Sequence, residues 1–387
     1  MYTIRSLNKI APIGLDLLDP AQFTLNDNEQ NPEGILLRSA DMHSMELPDN
    51  LLAVSRAGAG VNNIPLDACA EKGIVVFNTP GANANAVREL AVCALFLASR
   101  NITAGIKWAS GLEGDDVAKQ IEKGKSAFAG PEIMGKTLGV VGLGAIGVGV
   151  ANAAHHLGMN VLGFDPYISV DAAWGLSRSV SRYHDFNKLL AECDYLSIHA
   201  PLNTYTKHMI NSVALSLMKP GVRIINFARA ELVDDDDMIN ALDSGRVSCY
   251  VTDFPNGRVN KHPKVVPIPH LGASTPESED NCAVMAVQEM SNYLVFGNIK
   301  NSVNYPDVEL ARTTPYRLCV IHRNIPSMLS SISSMVGDAG INIDNMLNKS
   351  LKEYAYTILD VSTDIDNKLL ESLMSVEGII KVRVLKS

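Results

Sequence analysis

The chain has 387 residues, 47% of them hydrophobic, and a formal charge of −9 at pH 7. That length predicts two or three domains with a sizeable core. The acidic balance excludes a general nucleic-acid partner and requires a local basic site for any anionic substrate. The six cysteines (Cys69, Cys93, Cys193, Cys249, Cys282, Cys319) are scattered without a C-x-x-C pair, so they read as reduced residues of a cytoplasmic protein. Met1–Ile10 holds polar residues throughout and offers no apolar leader. No membrane association and no metal site are expected.

In chain order, residues 1–80 alternate short apolar runs with turns and a helix. Ile35–Leu37, Leu51–Val54 and Ile74–Phe77 read as parallel strands, with Leu66–Lys72 a helix between the last two. Arg38 and Ser39 follow the first of these strands. Arg56 and the small-residue turn Gly58-Ala59-Gly60 follow the second. Ligands of open parallel sheets bind at the carboxyl ends of strands, and such a turn can present N–H groups to an anion. Asn83–Arg100 is expected as a long apolar crossover helix, and Gly111–Pro131 as a mixed, charged return.

Thr137–Val141 is a short β-branched run, followed by Gly142, Gly144 and Gly147 in the spacing G-x-G-x-x-G. A helix is expected over Ala145–Leu157 and a second strand over Val161–Phe164, with Asp165 at its end. Each part has a physical job in holding a dinucleotide. Gly142 permits the tight turn, Gly144 lets backbone approach a pyrophosphate, and Gly147 lets helix and sheet pack closely. The helix N-terminus offers free N–H groups to phosphates. Asp165 can accept the adenosine ribose hydroxyls and repels a 2′-phosphate, which favours NAD over NADP; no arginine adjoins it in Pro166-Tyr167. Thr137–Ala154 carries no charge, but its five glycines and the following His155-His156 pair argue against a membrane span.

Further strands are expected at Tyr195–His199, Ile224–Phe227, Val247–Thr252 and Val265–Ile268. They end near Pro201, at Ala228-Arg229, at Asp253 and at His270 respectively. Oxidation of a secondary alcohol needs a base, for which histidine is suited, and a permanent cation on the developing carbonyl, for which arginine is suited. Asp234–Asp237 reads as a solvated helix start. Pro276–Phe296 is a long helix leading back to the first domain, and 301–315 reads as a polar linker.

The remainder reads β-α-β-β-α-β: strands at Tyr316–His322, Asn342–Asn348, Glu353–Val361 and Ile379–Leu385, with helices at Pro326–Ala339 and Lys368–Val376. This is the ferredoxin-like order, in a module long enough to fold alone. Its first two strands are expected as neighbours, which would bring His322 and Asn324 close to Asn342. The fold expectation is thus α/β, with two doubly wound parallel-sheet domains, one of them a Rossmann dinucleotide domain, plus a C-terminal α+β domain. The boundaries are 1–82 with 276–305, then 83–275, then 306–387.

The motifs N-F-A-R-A-E-L-V-D (226–234), T-D-F-P (252–255) and P-H-L-G-A-S-T (269–275), with G-L-G-A-I-G, resemble the D-2-hydroxyacid dehydrogenases. The resemblance runs from about Gly34 to the end, where the last module is similar to an ACT domain. It implies NAD as cofactor, held by Gly142, Gly144, Ala145, Ile146, Gly147, Asp165, Pro201, Ala228 and Asp253, with Asp253 on the nicotinamide amide. It implies His270 as acid–base and Arg229 on the substrate carboxylate and C2 oxygen. Arg38, Ser39, Arg56, Gly58, Ala59, Gly60 and Asn83 would bind substrate. The substrate so implied is 3-phospho-D-glycerate, oxidised to 3-phosphooxypyruvate in the first step of L-serine synthesis. L-Serine would be an effector at His322, Asn324 and Asn342 of a homodimer or homotetramer. The family places a Glu beside the catalytic His, four or five residues after the Asp of T-D-F-P; here those positions are Gly257 and Arg258, and Asn256–His262 holds no carboxylate. That departure leaves two alternatives open: a dehydrogenase for another D-2-hydroxy acid, or a weakly active, serine-responsive NAD-binding regulator.

Overall fold

A computed structural model describes residues 1–386. It divides into two compact units, Met1–Asn83 with Pro276–Ser387, and Ala84–Thr275. The first unit opens with five parallel strands: β1 (Tyr2–Ser6), β2 (Phe23–Leu25), β3 (Gly34–Leu37), β4 (Ala53–Arg56) and β5 (Val75–Phe77), in the order β2-β1-β3-β4-β5. The apolar runs at β3 and β5 are buried throughout, which is why they are legible. β1 was not anticipated, because only Ile4 in Tyr-Thr-Ile-Arg-Ser is buried. The strand expected at Leu51–Val54 lies two residues later. Pro276–Phe296 is a helix with the expected bounds, and Ser55 Oγ donates to Ala286 O on it at 2.9 Å.

The second unit carries seven parallel strands: β6 (Thr137–Val141), β7 (Asn160–Phe164), β8 (Ser181–Arg182), β9 (Tyr195–Ile198), β10 (Val222–Asn226), β11 (Val247–Thr252) and β12 (Val265–Pro267). Their order is β12-β11-β10-β9-β6-β7-β8. The chain therefore leaves β6 in one direction, returns, and continues from β9 in the other, making β6/β9 the switch point where such sheets bind ligands. Ala84–Ser99 and Ala145–His156 are the expected helices. Phe186–Glu192 and Ser212–Leu217 were not anticipated, although Asp185 and Asn211 cap them with side-chain oxygens on two N–H groups each. Among the described residues no single helix is long and apolar enough to cross a membrane.

The C-terminal strands are β13 (Tyr316–Arg323), β14 (Ile343–Leu351), β15 (Tyr354–Val361) and β16 (Ile379–Lys386), an antiparallel sheet in the order β14-β15-β13-β16. The expected adjacency of the first two strands is wrong. The helical crossover after β13 skips one position, and β15, folding back from β14 in a hairpin, fills it. β14 is left at the edge.

This module is not suspended on a polar linker. Cys319, Ile321, Tyr356, Ile358 and Leu385 belong to the same buried cluster as Phe77, Tyr293 and Leu294, and so do Tyr305 and Val308 from the segment read as a linker. Asn304 pairs with β5, its Oδ1 accepting from Val76 N and its Nδ2 donating to Ile74 O, both at 2.9 Å. Arg317 and Asp360 are fully buried; Arg317 Nε and Nη2 donate to the carboxylate at 2.6 and 2.9 Å, and Nη1 donates to Phe296 O at 2.7 Å.

Glu289 lies under the same segment, 7% exposed. Its Oε1 accepts from Asn301 Nδ2 at 2.6 Å, while Oε2 has no partner among the described residues. Burial pushes its carboxyl up to about 8; nearby Asp307 adds to the rise, and the Asn301 bond and Lys300 oppose it. The folded chain thus keeps a proton that the unfolded chain releases above the ordinary Glu range, about 4.3. Stability should fall as pH rises from there through about 8. Glu289→Gln should match the parent in Tm near pH 5 and exceed it at pH 8. Parallel Tm–pH curves for the two proteins would refute this.

Candidate active site

The glycine turn sits at the switch point. Gly142 has φ 89°, and a Cβ there would lie 2.7 Å from His199 O at the end of β9. A Cβ on Gly147 would meet Gly142 O at 1.9 Å, so helix and turn can close only on glycine. Gly144 is exposed with open space above it, as a group that must approach this backbone requires. Ala145 and Ile146 begin the Ala145–His156 helix, in the turn whose N–H groups have no intrahelical acceptor. Asp165 Oδ2 accepts from Leu143 N and Oδ1 from Tyr167 N, both at 2.8 Å, which fixes the carboxylate beside the turn. It borders a cleft walled by Leu143, Ile168, Leu176 and Val180. The residues present fit a dinucleotide. Pro201 follows β9, exposed, its carbonyl accepting from Thr206 Oγ1 at 2.6 Å.

β10, β11 and β12 bring three chemical groups to the same end of the sheet. Arg229 follows β10 and is exposed. The turn presenting it is built by a residue that sequence reasoning passed over. Asn226 is fully buried; its Oδ1 accepts from Ala228 N at 3.1 Å and its Nδ2 donates to Arg229 O at 2.8 Å. A polar residue closing a buried strand was the available signal, because a buried amide must find partners.

His270 is exposed and has φ 52°, a left-handed conformation costly for a non-glycine residue. Its N–H donates to Asp253 O at 3.1 Å and Ile268 O at 2.9 Å. Asp253, expected to hold a nicotinamide amide, is 2% exposed, and its carboxylate accepts from Leu271 N at 2.7 Å and Gly272 N at 2.8 Å. It clamps the turn that carries His270. Burial raises its carboxyl, opposed by those two N–H groups and by the His270 charge.

The positions where the family has Glu contribute no acid. Gly257 is exposed, and Arg258 pairs with Asp236, while Asn256 Nδ2 donates to Asp235 Oδ2 at 2.7 Å. The acidic run is therefore more than a solvated helix start: Asp234 caps the Asp235–Asp243 helix, and Asp235 and Asp236 anchor the loop after β11. Among the described residues the His270 ring has no carboxylate partner; its neighbour is Phe254, with ring centroids 4.9 Å apart. No group of three metal-ligating side chains occurs among the described residues.

In the first unit, Arg38 and Ser39 close β3 at that sheet's own switch point, between β1 and β3. Asn8 Oδ1 accepts from the N–H groups of Arg38, Ser39 and Ala40 at 3.1, 3.2 and 2.8 Å. Arg38 Nη1 lies 2.6 Å from Glu279 Oε1, both side chains nearly half exposed. Arg56 folds over the strand ends, donating to Arg38 O at 2.9 Å and to Gly60 O, with Gly58 beneath it. Ala59 O accepts from Asn78 Nδ2 at 2.6 Å. Asn83 is half-buried, just before the Ala84–Ser99 helix.

The C-terminal trio is not assembled within one chain. His322 is 2% exposed, its ring bonded to Arg323 O at 2.7 Å and Thr357 Oγ1 at 2.9 Å. Asn324 Nδ2 donates to Lys352 O at 3.1 Å. Asn342 precedes Ile343, which pairs with Val361 and so lies level with Tyr316, six residues of β13 from His322. That is about 20 Å along the strand. Ser327, in the segment after His322, has φ 68°.

Residues 94–272 match the family model for the D-isomer specific 2-hydroxyacid dehydrogenase, NAD binding domain. D-3-phosphoglycerate dehydrogenase of Methanocaldococcus jannaschii is 33% identical over 307 residues, 77% of this chain but 55% of that protein, so the chain spans about half the length of that relative. The Escherichia coli K12 enzyme of the same name is 31% identical over 350 residues, 87% of this chain and 82% of that one. The NAD⁺-bound 3-phosphoglycerate dehydrogenase structure from Entamoeba histolytica covers 78% of this chain and 98% of its own at a TM-score of 0.61 and 24% identity, a likeness of fold. A dinucleotide turn at a switch point, an arginine and a histidine at the ends of the two strands that flank β11, and a relative matched over most of its length converge on one assignment: the chain belongs to the D-isomer specific 2-hydroxyacid dehydrogenases.

Proposed function

We propose that the protein oxidises 3-phospho-D-glycerate to 3-phosphooxypyruvate with NAD, the entry step of L-serine synthesis. The observation that carries this is the match to D-3-phosphoglycerate dehydrogenase over 82% of the E. coli relative. When bound, NAD accepts the hydride from C2. The chain's own residues do the rest. The N–H groups of the Gly142–Gly147 turn bind phosphate, and Asp165 holds the adenosine ribose. Arg229 binds the carboxylate and steadies the C2 oxygen as it becomes a carbonyl, while His270 takes the hydroxyl proton. Among the described residues no carboxylate bonds its ring, and His270 is oriented by its strained backbone, the Asp253 clamp and Phe254. Steady-state assay with 3-phosphoglycerate and with unphosphorylated D-2-hydroxy acids tests the reading. A higher kcat/KM on an unphosphorylated acid would assign the protein to another branch of the family, and no turnover of any of them would leave an NAD-binding regulator.

Arg38 supplies the cation for the substrate phosphate, and Glu279 competes with that phosphate for it. An exposed pair of this kind is worth roughly 0–1 kcal/mol. Glu279→Gln should therefore lower KM for the phosphorylated substrate by up to about fivefold at unchanged kcat, the signature of uniform binding. An unchanged or raised KM would separate Arg38 from the phosphate.

L-Serine is the effector in this reading, bound by a homo-oligomer. A ligand touching His322, Asn324 and Asn342 together must bridge two copies of the chain, because one chain holds them at opposite ends of a sheet. Calorimetry should show heat with L-serine on the intact protein and none on Asn342→Ala. No heat at millimolar serine would leave the module a structural part of the first unit.

A further inference from the structure

The sequence around Asp165 offers no cation, but the sheet supplies one. β8 pairs with β7 so that Arg182 stands beside Gly163, two residues before Asp165. Side chains two apart on a strand share a face, and those of paired residues in parallel strands do too. Arg182 therefore joins Asp165 on one side of the sheet, and Leu143 and Val180 pack over Gly163 on that side, where a Cβ would meet them at 3.0 and 3.3 Å. Both residues line the same cleft, with Leu143 and Val180 as apolar walls. Asp165 spends its two oxygens on Leu143 N and Tyr167 N. Arg182 is exposed, and its guanidinium has no hydrogen bond or ion pair among the described residues, not even with Asp165.

We infer that Arg182 is a second specificity determinant of the adenosine end of the cofactor cleft. It is a phosphate-competent cation whose affinity for a 2′-phosphate is masked by the Asp165 charge alone. The inference rests on the cofactor reading above. In dinucleotide sites an acid selects the free 2′-hydroxyl and a nearby arginine accommodates the 2′-phosphate. Here the two lie in one cleft, so discrimination against NADP is a balance between them rather than the work of a site lacking any cation. Removing the acid should then open the site to NADP without adding an arginine. The gain should be lost when Arg182 goes and should weaken with salt, as a charge contact does.

The test is fluorescence titration of the intact protein with NADH and with NADPH. Asp165→Asn keeps an acceptor for only one of the two N–H groups, so NADH binding by the same variant is read as the control for the turn. It should tighten NADPH binding by about tenfold or more relative to NADH, the usual worth of a charge-assisted contact. Adding Arg182→Ala should reverse most of that gain. Arg182→Glu in the otherwise native chain leaves the turn untouched, and should raise the NADPH/NADH dissociation-constant ratio further. An Asp165→Asn gain indifferent to Arg182, or a ratio unmoved by Arg182→Glu, overturns the inference while leaving NAD binding intact. If the parent binds neither dinucleotide, the cofactor reading fails and takes this inference with it.

Discussion

His270→Asn is expected to lower kcat by about 10²–10⁴-fold, the usual contribution of a positioned general base, with NADH affinity little changed. The choice of Asn follows from the backbone. His270 has φ 52°, and Asn tolerates the left-handed region far better than Ala. The Asn variant thus removes the proton acceptor while the turn clamped by Asp253 persists. His270→Ala removes the acceptor and also strains the turn, so it should lose thermal stability as well as rate. Equal kcat losses in the two variants, with a lower Tm in the Ala variant alone, would separate chemistry from strain. A His270→Asn protein retaining more than about a tenth of the parental kcat would place the base elsewhere.

Asp360→Ala is expected to destabilise the first unit by about 3–5 kcal/mol, because it strands the Arg317 guanidinium in a site with no access to water. Arg317 would keep its bond to Phe296 O but lose both carboxylate bonds. The paired replacement Arg317→Met with Asp360→Leu should recover most of the loss, since apolar packing commonly equals a buried ion pair. Urea unfolding of the three proteins measures this. A loss under about 1 kcal/mol in Asp360→Ala would show that water reaches the pair. For the same reason, a chain cut before Tyr316 should not give a soluble first unit. The cut uncovers Phe77, Tyr293 and Leu294, which share their core with β13, β15 and β16.

The parts of the site most legible in sequence are those whose requirement is local. A turn that needs φ 89° at Gly142, and helix packing that leaves no room for a Cβ at Gly147, demand glycine at fixed spacing wherever they occur. Apolar runs bounded by turn residues marked β3, β5, β6, β9 and β11 for the same reason: burial in a parallel sheet keeps such runs mostly apolar, with only small hydroxyl residues such as Ser197 and Thr252 admitted. Arg229 and His270 could be singled out because each stands where such a run stops. β1, whose neighbours of Ile4 stay half-exposed, left no such pattern.

What only the tertiary structure decided concerns pairings between segments remote in sequence. Nothing local says that β15 inserts between β13 and β14, so the trio His322, Asn324 and Asn342 looked close and is split. Nothing in Pro166-Tyr167 hints that β8 will carry Arg182 back to the cleft of Asp165. The acid in T-D-F-P is a turn clamp because the P-H-L-G segment folds over it and offers two N–H groups. The polar stretch after the Pro276–Phe296 helix holds Tyr305 and Val308 in a core shared with the C-terminal sheet. The sequence by itself determined the strand–turn–helix units and the residue types at their ends, because backbone sterics and burial act over a few residues. Which ends meet depends on long-range backbone pairing and on a core assembled from distant segments, and those free energies belong to no single stretch of chain.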